Sequence, residues 1–283
     1  MTSKVNDKIS ISAPKDLSLG KQVEYEFHYN PDLLQGVPRS LSRDTLSLDA
    51  EALPFKGIDT WTGYELSWLN KKGKPHVALL ECNVPITSVN LIESKSFKLY
   101  LNSFNQTRLA NQDELHQRLQ SDLSEGFGAP IDVRIFSVMN FPIANEDLGQ
   151  GIDDLDIEVS DYSPNAGLLS IEDTQAQETL HSHLLKSNCP VTGQPDWATV
   201  IIRYDGKKIN REALLQYIIS YRNHDDFHEH CVEQIFCDLL SLGGFNSLTV
   251  TARYTRRGGL DINPTRSLAP INTNQGVGRL ARQ

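Results

Sequence analysis

The stretches ESKSFKLYLNSF (Glu93–Phe104) and NREALLQYIISY (Asn210–Tyr221) decide the fold, because each can be laid on the other without a gap. Within these stretches Tyr100 aligns with Tyr217, Ser103 with Ser220 and Phe104 with Tyr221. Further along the chain, after one gap, Asp122 aligns with Asp238. Identity is low, but the flanking elements recur in the same order and spacing. That pattern is typical of an internal repeat.

Each copy of the repeat is predicted to place strands around a pair of helices. In the first copy, two strands, two helices and a strand follow one another as DTWTGYELSWL, KPHVALLECNVP, SFKLYLNSF, QDELHQRLQSDL and PIDVRIFSV. In the second copy, two strands, two helices and a strand pair follow as ETLHSHLLKSN, WATVIIRYDG, NREALLQYIISYRN, FHEHCVEQIFCDLL and NSLTVTARYT with GGLDINP. We therefore predict an α+β protein with a ββααββ unit used twice. Two unrelated α+β domains are the alternative.

The predicted organisation has four segments. Residues 1–50 are polar and turn-rich and form an irregular N-terminal arm, and residues 51–145 form the first module. Residues 146–175 are acidic and rich in Gly and Asp, the composition of a linker, with a short strand at Asp156–Val159. Residues 176–283 form the second module.

Composition narrows the class of function. A net charge of −9 argues against binding to a nucleic-acid backbone and favours chemistry on a small molecule. No apolar run approaches the roughly 20 residues that span a bilayer, and the N-terminus lacks an apolar signal core. Four cysteines without a CxxC pair suit a reducing compartment, so we expect a cytoplasmic protein.

Cys189 lies alone in the loop SNCPVTGQPDWAT, and two interpretations stay open on the sequence alone. A cysteine is often a small buried hydrophobe. Here, however, the loop is polar, and Asp196 follows seven residues later, at the start of the next strand. If the loop folds back, a thiol nucleophile and a carboxyl that handles its proton form a coherent pair.

Two helix starts carry carboxylates that have both a structural and a functional interpretation. Asp226 with Glu229, and Asn90 with Glu93, have the spacing of a capping box. Alternatively, these residues bind a ligand: His228 and Glu229 in the second half, with Glu93 in the first, suit a heterocycle that carries N–H groups. Lys95 and Lys98 either form a solvent-exposed helix face, or Lys95 contacts a phosphate.

The second helix of the second copy also raises a zinc hypothesis. The candidate ligands are His224, His228, His230, Cys231 and Cys237, but their spacing matches no common zinc pattern well. Cys231 shares one helical face with apolar residues, so we predict that it belongs to the core.

The stretch RYTRRGGLDINP, Arg253–Pro264, follows a predicted strand with adjacent arginines and two glycines. This composition allows an anion to approach the backbone while a guanidinium binds it; a basic hairpin turn is the alternative. The first copy carries ESKS where the second has NREA, and the second carries FHEH where the first has DELH. Such complementary loss favours one composite site built by both copies.

Four stretches in the same order, ESKSFKLY, SNCPVTGQPDWAT, NHDDFHEHCVE and YTRRGGLDINP, resemble the two-module form of 7-cyano-7-deazaguanine reductase. That family is the NADPH-dependent nitrile reductase of queuosine biosynthesis, and the resemblance runs from about Leu33 to the C-terminus. It is similar in fold to GTP cyclohydrolase I and pyruvoyl-tetrahydropterin synthase. The resemblance implies two tandem tunnelling-fold modules, with antiparallel sheets and helices on one face, that assemble into β-barrels.

The resemblance also implies roles for ten residues. Cys189 would add to the nitrile carbon and form a thioimide, and Asp196 would donate protons. The other implied contacts are Ile92, Glu93, Ser94, His228 and Glu229 to the deazaguanine, and Ser94, Lys95, Arg257 and Gly258 to NADPH.

The function so implied is the four-electron reduction of 7-cyano-7-deazaguanine (preQ0) to 7-aminomethyl-7-deazaguanine (preQ1), with NADPH as cofactor and a homodimer as the assembly. No metal, nucleic acid or membrane is expected to take part. Two alternatives remain: a zinc-dependent enzyme of the cyclohydrolase type, and a non-catalytic module that binds a purine or pterin.

Overall fold

The structure is a computed structural model that describes residues 26–142, 147–271 and 279–283. Residues 1–25 of the predicted arm lie outside the described residues, as do residues 143–146, at the boundary between the predicted first module and the linker, and residues 272–278.

The strands and helices follow the predicted order through most of the chain. The strands are β1 (Gly36–Pro38), β2 (Lys56–Asn70), β3 (Pro75–Pro85), β4 (Asn90–Ile92), β5 (Arg108–Leu109), β6 (Asp132–Phe136), β7 (Gln150–Gly151), β8 (Ile171–Asn188), β9 (Pro195–Ile209), β10 (Phe245–Tyr254) and β11 (Leu260–Ser267). The α-helices are α1 (Ser40–Arg43), α2 (Ser94–Ser103), α3 (Gln112–Phe127), α4 (Arg211–Ser220) and α5 (His228–Ser241). None of these helices is long and apolar enough to cross a membrane.

One large sheet joins the two halves of the chain. Its strand order is β6-β3-β2-β11-β10-β9-β8-β7, and β5 pairs with β2. Its pairings are antiparallel except for the short β2–β5 and β7–β8 contacts. The halves meet where β11 pairs with β2, with Leu260 opposite Gly63 and Ser267 opposite Lys56. The predicted α+β class is therefore confirmed, with an antiparallel-rich sheet.

The internal repeat is visible as repeated hydrogen bonds. Tyr100 donates to Asp122 Oδ2 and Tyr217 donates to Asp238 Oδ2, each over 2.6 Å. One turn after each tyrosine, a serine hydroxyl donates to the tyrosine carbonyl over 2.6 Å, from Ser103 and from Ser220. The residues that coincide in the sequence therefore make the same contacts in each half: the Tyr–Asp bond joins the two helices, and the Ser–Tyr bond lies within the first.

The two copies differ after their helices. After its helices the second copy has two strands of the large sheet, β10 and β11. In the described part of the first copy, β6 is the only strand of that sheet between α3 and residue 142. The first copy is thus ββααβ there rather than the predicted ββααββ. Strand β11 of the second copy occupies the place beside β2.

The helices supply two apolar cores, one for each half. Phe97, Tyr100 and Leu119 belong to the core beneath β2 and β3. Leu214, Tyr217 and Phe236 belong to the core beneath β9 and β10. Cys231 is fully buried in this second core, as its helical face predicts.

The predicted arm is not irregular where it is described. Strand β1 pairs with β4, with Gly36 opposite Ile92, and the Glu93 N–H donates to the Gln35 carbonyl over 2.9 Å. Two arm arginines are buried: Arg39 bonds Asp59 on β2 (2.6 Å), and Arg43 bonds Glu233 on α5 (2.7 Å). The arm therefore forms ion pairs with both halves, a role that its polar, turn-rich composition did not predict.

The predicted linker strand at Asp156–Val159 is wrong. These residues alternate between exposed and half-buried, which imitates a strand, but no strand is formed there. The Glu158 carbonyl instead accepts a hydrogen bond from the Gln216 side chain over 3.1 Å. The linker does contribute β7, whose Gln150 and Gly151 pair in parallel with Leu180 and His181 of β8.

Candidate active site

A pocket of about 640 Å³ lies where residues from both halves meet. This volume includes open space at the mouth of the pocket. Eight of the ten predicted site residues line it: Ile92, Glu93, Ser94, Cys189, Asp196, His228, Glu229 and Arg257. Lys95 and Gly258 are not in its lining. Residues of both halves that were predicted to form one composite site therefore line a shared cavity.

Cys189 is held at the base of a hairpin. Strands β8 and β9 pair Asn188 with Pro195 and Ser187 with Asp196, so the loop between them has only six residues. Within it, the Cys189 N–H donates to the Gln194 carbonyl over 2.8 Å, and the Gly193 N–H donates to the Cys189 carbonyl over 2.9 Å. Gly193 has φ of +66°, which favours glycine. The loop thus folds back and places Cys189 and Asp196 on one pocket.

Burial alone does not separate the two interpretations of Cys189. Its exposed fraction is 9%, while Cys82 and Cys231 are at 0%. The difference is location, because Cys189 lines the pocket and the other two pack in the cores. A ligand in the pocket therefore meets this thiol.

Asp196 is clamped between two basic side chains. Its Oδ1 lies 2.6 Å from Arg257 Nη1, and its Oδ2 lies 3.4 Å from His228 Nε2. Burial raises the pKa of the Asp196 carboxyl, but the hydrogen bonds and charges of His228 and Arg257 outweigh burial, so the net pKa lies below its ordinary value. Asp196 is a carboxylate in the free protein, which equips it first to accept a proton.

His228 stands at the first turn of α5 with its ring plane fixed. The imidazole stacks on Tyr254, with ring centroids 3.7 Å apart and planes 4° from parallel. Its Nε2 faces Asp196, and its Nδ1 is buried without a hydrogen-bond partner in the described structure. One ring nitrogen thus remains available to a bound molecule.

Glu229 is a buried carboxyl with unmet hydrogen-bonding capacity. Its exposed fraction is 2%, and its Oε1 has no partner within the described residues. Burial, with repulsion from Asp59, raises the pKa of Glu229 to about 7. The capping-box interpretation is wrong: Phe227 is the N-cap residue of α5, and Asp226 Oδ1 accepts from the Phe227 N–H over 2.7 Å. Glu229 is therefore not used as a cap.

Glu93 has both a structural and a site role. It is itself the N-cap of α2, and its carboxylate accepts from the N–H groups of Lys95 (2.8 Å) and Ser96 (2.7 Å). The predicted box that begins at Asn90 is wrong, because Asn90 Nδ2 donates to the Gly126 carbonyl instead. Glu93 is nevertheless part of the pocket wall.

Lys98 and Arg257 form a cationic wall. Lys98 is half-buried and lines the pocket. Burial lowers the pKa of the Lys98 ammonium, and the neighbouring Arg257 charge lowers it further. Sequence reasoning missed Lys98 in favour of Lys95, although Lys98 lies one helical turn after Ser94 and so shares its face.

Several unmet polar atoms lie on the pocket residues. They are Trp61 Nε1, His228 Nδ1, Glu229 Oε1 and Thr255 Oγ1, each buried without a hydrogen-bond partner in the described structure. Buried polar groups are normally paired, so these four atoms are the hydrogen-bonding capacity that a bound polar molecule or water would use. Trp61 and Thr255 were not predicted; no local sequence signal distinguishes them from core residues.

The candidate zinc ligands diverge. His224 and His230 both bond Asp226, whereas His228 faces Asp196. Among the described residues, no group of three or more His, Cys, Asp or Glu side chains is arranged to hold a metal ion.

Two family models match the chain, one in each half. The model described as nitrile reductase, 7-cyano-7-deazaguanine-reductase N-term, matches residues 25–135. The model described as QueF-like protein matches residues 195–271. Between them they cover about two thirds of the chain, and Cys189 lies between the matched segments.

One solved structure, the archaeosine synthase QueF-Like in the apo form, is similar to part of the chain. The identity is 16%, the TM-score is 0.30, and the match covers 35% of this chain and 97% of that chain. This distant likeness adds nothing to the two family matches.

Proposed function

The chain belongs to the QueF-type family of 7-cyano-7-deazaguanine reductases, and on that premise we propose that it reduces the nitrile of 7-cyano-7-deazaguanine to the primary amine, with NADPH, in queuosine biosynthesis. The observation that carries the proposal is one pocket in which Cys189 and Asp196 share the wall with Glu93, His228 and Glu229. A thiol, a proton-transfer group and base-binding groups are the parts that this reaction needs.

The deazaguanine is bound by polar groups from both halves. Glu229 Oε1 and the Glu93 carboxylate offer acceptors to the ring N–H and exocyclic amine of the base. His228 Nδ1 offers a further polar contact, and the stacked Tyr254 holds its ring in place. Ile92 gives an apolar contact to the base. Glu229 Oε1 and His228 Nδ1 have no hydrogen-bond partner within the described residues, so filling their capacity makes recognition specific.

Cys189 converts the nitrile into a reducible group. The Cys189 thiol gives its proton to the Asp196 carboxylate, and its sulfur forms a bond to the nitrile carbon. Asp196 then passes that proton to the nitrile nitrogen, which yields a neutral thioimide, R–C(=NH)–S. Because its pKa is depressed, Asp196 begins this step as a carboxylate, and it returns to that state when the proton has reached the nitrogen.

The residues around the β10–β11 turn fit a phosphorylated cofactor. Arg257 and Lys98 place two cations on the pocket wall beside Ser94. Gly258 has φ of +54°, and a Cβ there would come within 3.1 Å of Lys98 Nζ, so this turn needs glycine to stay close to the lysine. Bound NADPH supplies hydrides, two for each nitrile, for a net R–C≡N + 2 NADPH + 2 H⁺ → R–CH₂–NH₂ + 2 NADP⁺.

The pocket must also protect the intermediates. After the first reduction the C–S bond breaks, the sulfur leaves as thiolate, and an imine remains that water would hydrolyse. The buried positions of Glu93, Cys189 and Glu229 indicate a site that excludes bulk water. Asp196 and His228 are the groups placed to return protons to nitrogen.

Intact-mass measurement tests the mechanism. Wild type incubated with the cyano base alone should gain the mass of one substrate molecule, and Cys189→Ala should gain none. Cys237→Ser is the matched control, because Cys237 is the one other cysteine in the described structure that is not fully buried. An adduct that persists in Cys189→Ala, or NADPH consumption other than two per amine, contradicts the proposal.

We also propose that the halves are two tunnelling-fold modules, at about 51–145 and 176–283, and that two copies form a homodimer. The sheet supports this, since β6 ends it on one side, and β7 covers only two residues of β8 on the other. Unpaired strand edges invite pairing with another chain. Native mass spectrometry should give twice the 31.7 kDa chain mass.

A further inference from the structure

The residue before Cys189 is attached to the segment that leads into α5. The Asn188 N–H donates to the His224 carbonyl over 2.7 Å, and the Asp226 N–H donates to the Asn188 carbonyl over 3.0 Å. The Asn188 side-chain amide adds a bond to Asp225 Oδ1 over 2.9 Å. A short parallel bridge therefore links the cysteine hairpin to the three residues that precede Phe227 and α5.

Asp226 holds that bridge in place from inside. Its exposed fraction is 0%. One oxygen accepts from the Phe227 N–H, and the other accepts from His224 Nε2 over 3.2 Å and from His230 Nδ1. His224 precedes the helix, and His230 lies in its first turn. The carboxylate thus joins the bridge segment to the helix turn that carries His228 and Glu229.

The arrangement depends on a charged acceptor. Burial raises the pKa of Asp226, but the hydrogen bonds from His224 and His230 lower it by more. Three protein donors already bind its two oxygens, although Asp226 is also part of the pocket wall. The Thr45 hydroxyl of the arm lies 3.4 Å from His230 Nε2 and extends the cluster to that segment.

We propose that Asp226 is a positioning residue: with His224 and His230 it fixes the hairpin that carries Cys189 against the first turn of α5, so that the thiol faces the same substrate as His228 and Glu229. The catalytic consequence rests on the proposed function. Asp226 acts through Asn188 and the helix turn and touches no reacting atom.

Two rates measured on Asp226→Asn test the proposal. The asparagine amide has the same size as the aspartate carboxylate and keeps one oxygen that can accept from the Phe227 N–H. It cannot at the same time accept hydrogen bonds from His224 and His230. We expect thioimide formation at saturating cyano base to slow by about tenfold or more, the usual effect of losing a charge-assisted hydrogen bond, with substrate affinity changed far less. Alkylation of Cys189 by chloroacetamide should become faster, because the hairpin opens.

Peptide mapping of all four cysteines separates positioning from unfolding. Cys82 and Cys231 are fully buried, so they should stay protected in Asp226→Asn while Cys189 gains reactivity. Asp173→Asn, the same change at an exposed aspartate, should match wild type in both rates. Wild-type rates in Asp226→Asn, or equal exposure of all cysteines, overturn the inference.

A second pair of variants decides the question if Asp226→Asn does not fold. His230→Gln retains a side-chain N–H donor for Asp226, and His230→Leu does not. The leucine variant should form the thioimide more slowly and expose Cys189, and the glutamine variant should restore both rates; identical behaviour of the two variants contradicts the inference. If wild type forms no adduct with the cyano base, the proposed function is refuted. Alkylation of Cys189 does not need the nitrile, so the alkylation rates still decide the positioning inference.

Discussion

Arg257 Nη1 lies 2.6 Å from Asp196 Oδ1, so the β10–β11 turn is tied to the strand that follows the cysteine hairpin. The pair brings a residue assigned to the cofactor against a residue assigned to proton transfer. His228 and Arg257 both lower the pKa of Asp196, so the cation proposed to bind the cofactor also favours the ionised form of the proposed proton-transfer group.

Loss of Arg257 should shift the pH dependence of thioimide formation. In wild type the Asp196 pKa is depressed, so the carboxylate persists as pH falls below its ordinary range. In Arg257→Ala the pKa rises, and the acid limb of the rate profile should move to higher pH. Stopped-flow absorbance across pH checks this. Arg256→Ala, which removes a cation stacked on Tyr64 instead, should leave the acid limb in place.

Glu229 should cost stability at high pH. Its pKa is raised from 4.5 to about 7, so the folded state favours the protonated form. The stability that protonation of Glu229 contributes is therefore fully present below pH 4.5, and it is lost as pH rises through about 7. Glu229→Gln should melt higher than wild type at pH 8, and the difference should shrink at pH 5 while base affinity falls. Equal melting temperatures at pH 8 would contradict the burial of an ionisable carboxyl.

Lys98 should matter more for NADPH than Lys95. Lys98 is on the pocket wall beside Arg257, whereas Lys95 is not part of the lining. Lys98→Met should raise the KM for NADPH by about tenfold, the effect of losing one charge-assisted contact, with a smaller rise in Lys95→Met. Steady-state kinetics with varied NADPH measures both, and Lys72→Met in the exposed β2–β3 turn is the control. A larger effect at Lys95 would favour the sequence-based assignment.

Arg43 should be a major contributor to stability. It bonds Glu233 and the Ile86 carbonyl, and its removal leaves a buried carboxylate with fewer partners. Arg43→Ala should lower the free energy of unfolding by about 1–3 kcal/mol, because Glu233 keeps its ion pair with Arg266. Arg118→Ala breaks the half-exposed pair with Glu114 and should cost far less. Urea titrations compare the two variants, and equal losses would show that the arm is peripheral.

The repeated tyrosines should respond unequally to loss of their hydroxyls. Tyr100→Phe leaves Asp122 with a second donor, the Tyr29 hydroxyl at 2.9 Å. Tyr217→Phe removes the hydroxyl that bonds both Asp238 and Tyr221. We expect about 1 kcal/mol for the first and about 2 kcal/mol for the second. Because the two sites share no partner, the double variant should show the sum, as chemical denaturation can verify.

Much of the fold follows from local signals in the sequence. Helix α2 begins at Ser94 and α4 at Arg211, where periodic apolar residues follow a residue able to cap. The repeated Tyr, Ser and Asp positions predicted equivalent helix pairs, and equivalent hydrogen bonds are present. Such features depend on neighbours within a few turns or on alternation along one strand, so they are legible without the tertiary structure.

The chemical state of the site depends on contacts between distant segments, and only the tertiary structure decided it. Arg257 is 61 residues from Asp196, and Asp59 raises the pKa of Glu229 from the other half of the chain. Glu93 and Glu229 both have capping-box spacing in the sequence, yet Glu93 became an N-cap, and Glu229 a buried carboxyl whose Oε1 has no hydrogen-bond partner within the described residues. Burial and electrostatic fields sum over all surrounding elements, so sequence spacing predicts which residues meet but not the charge they carry there.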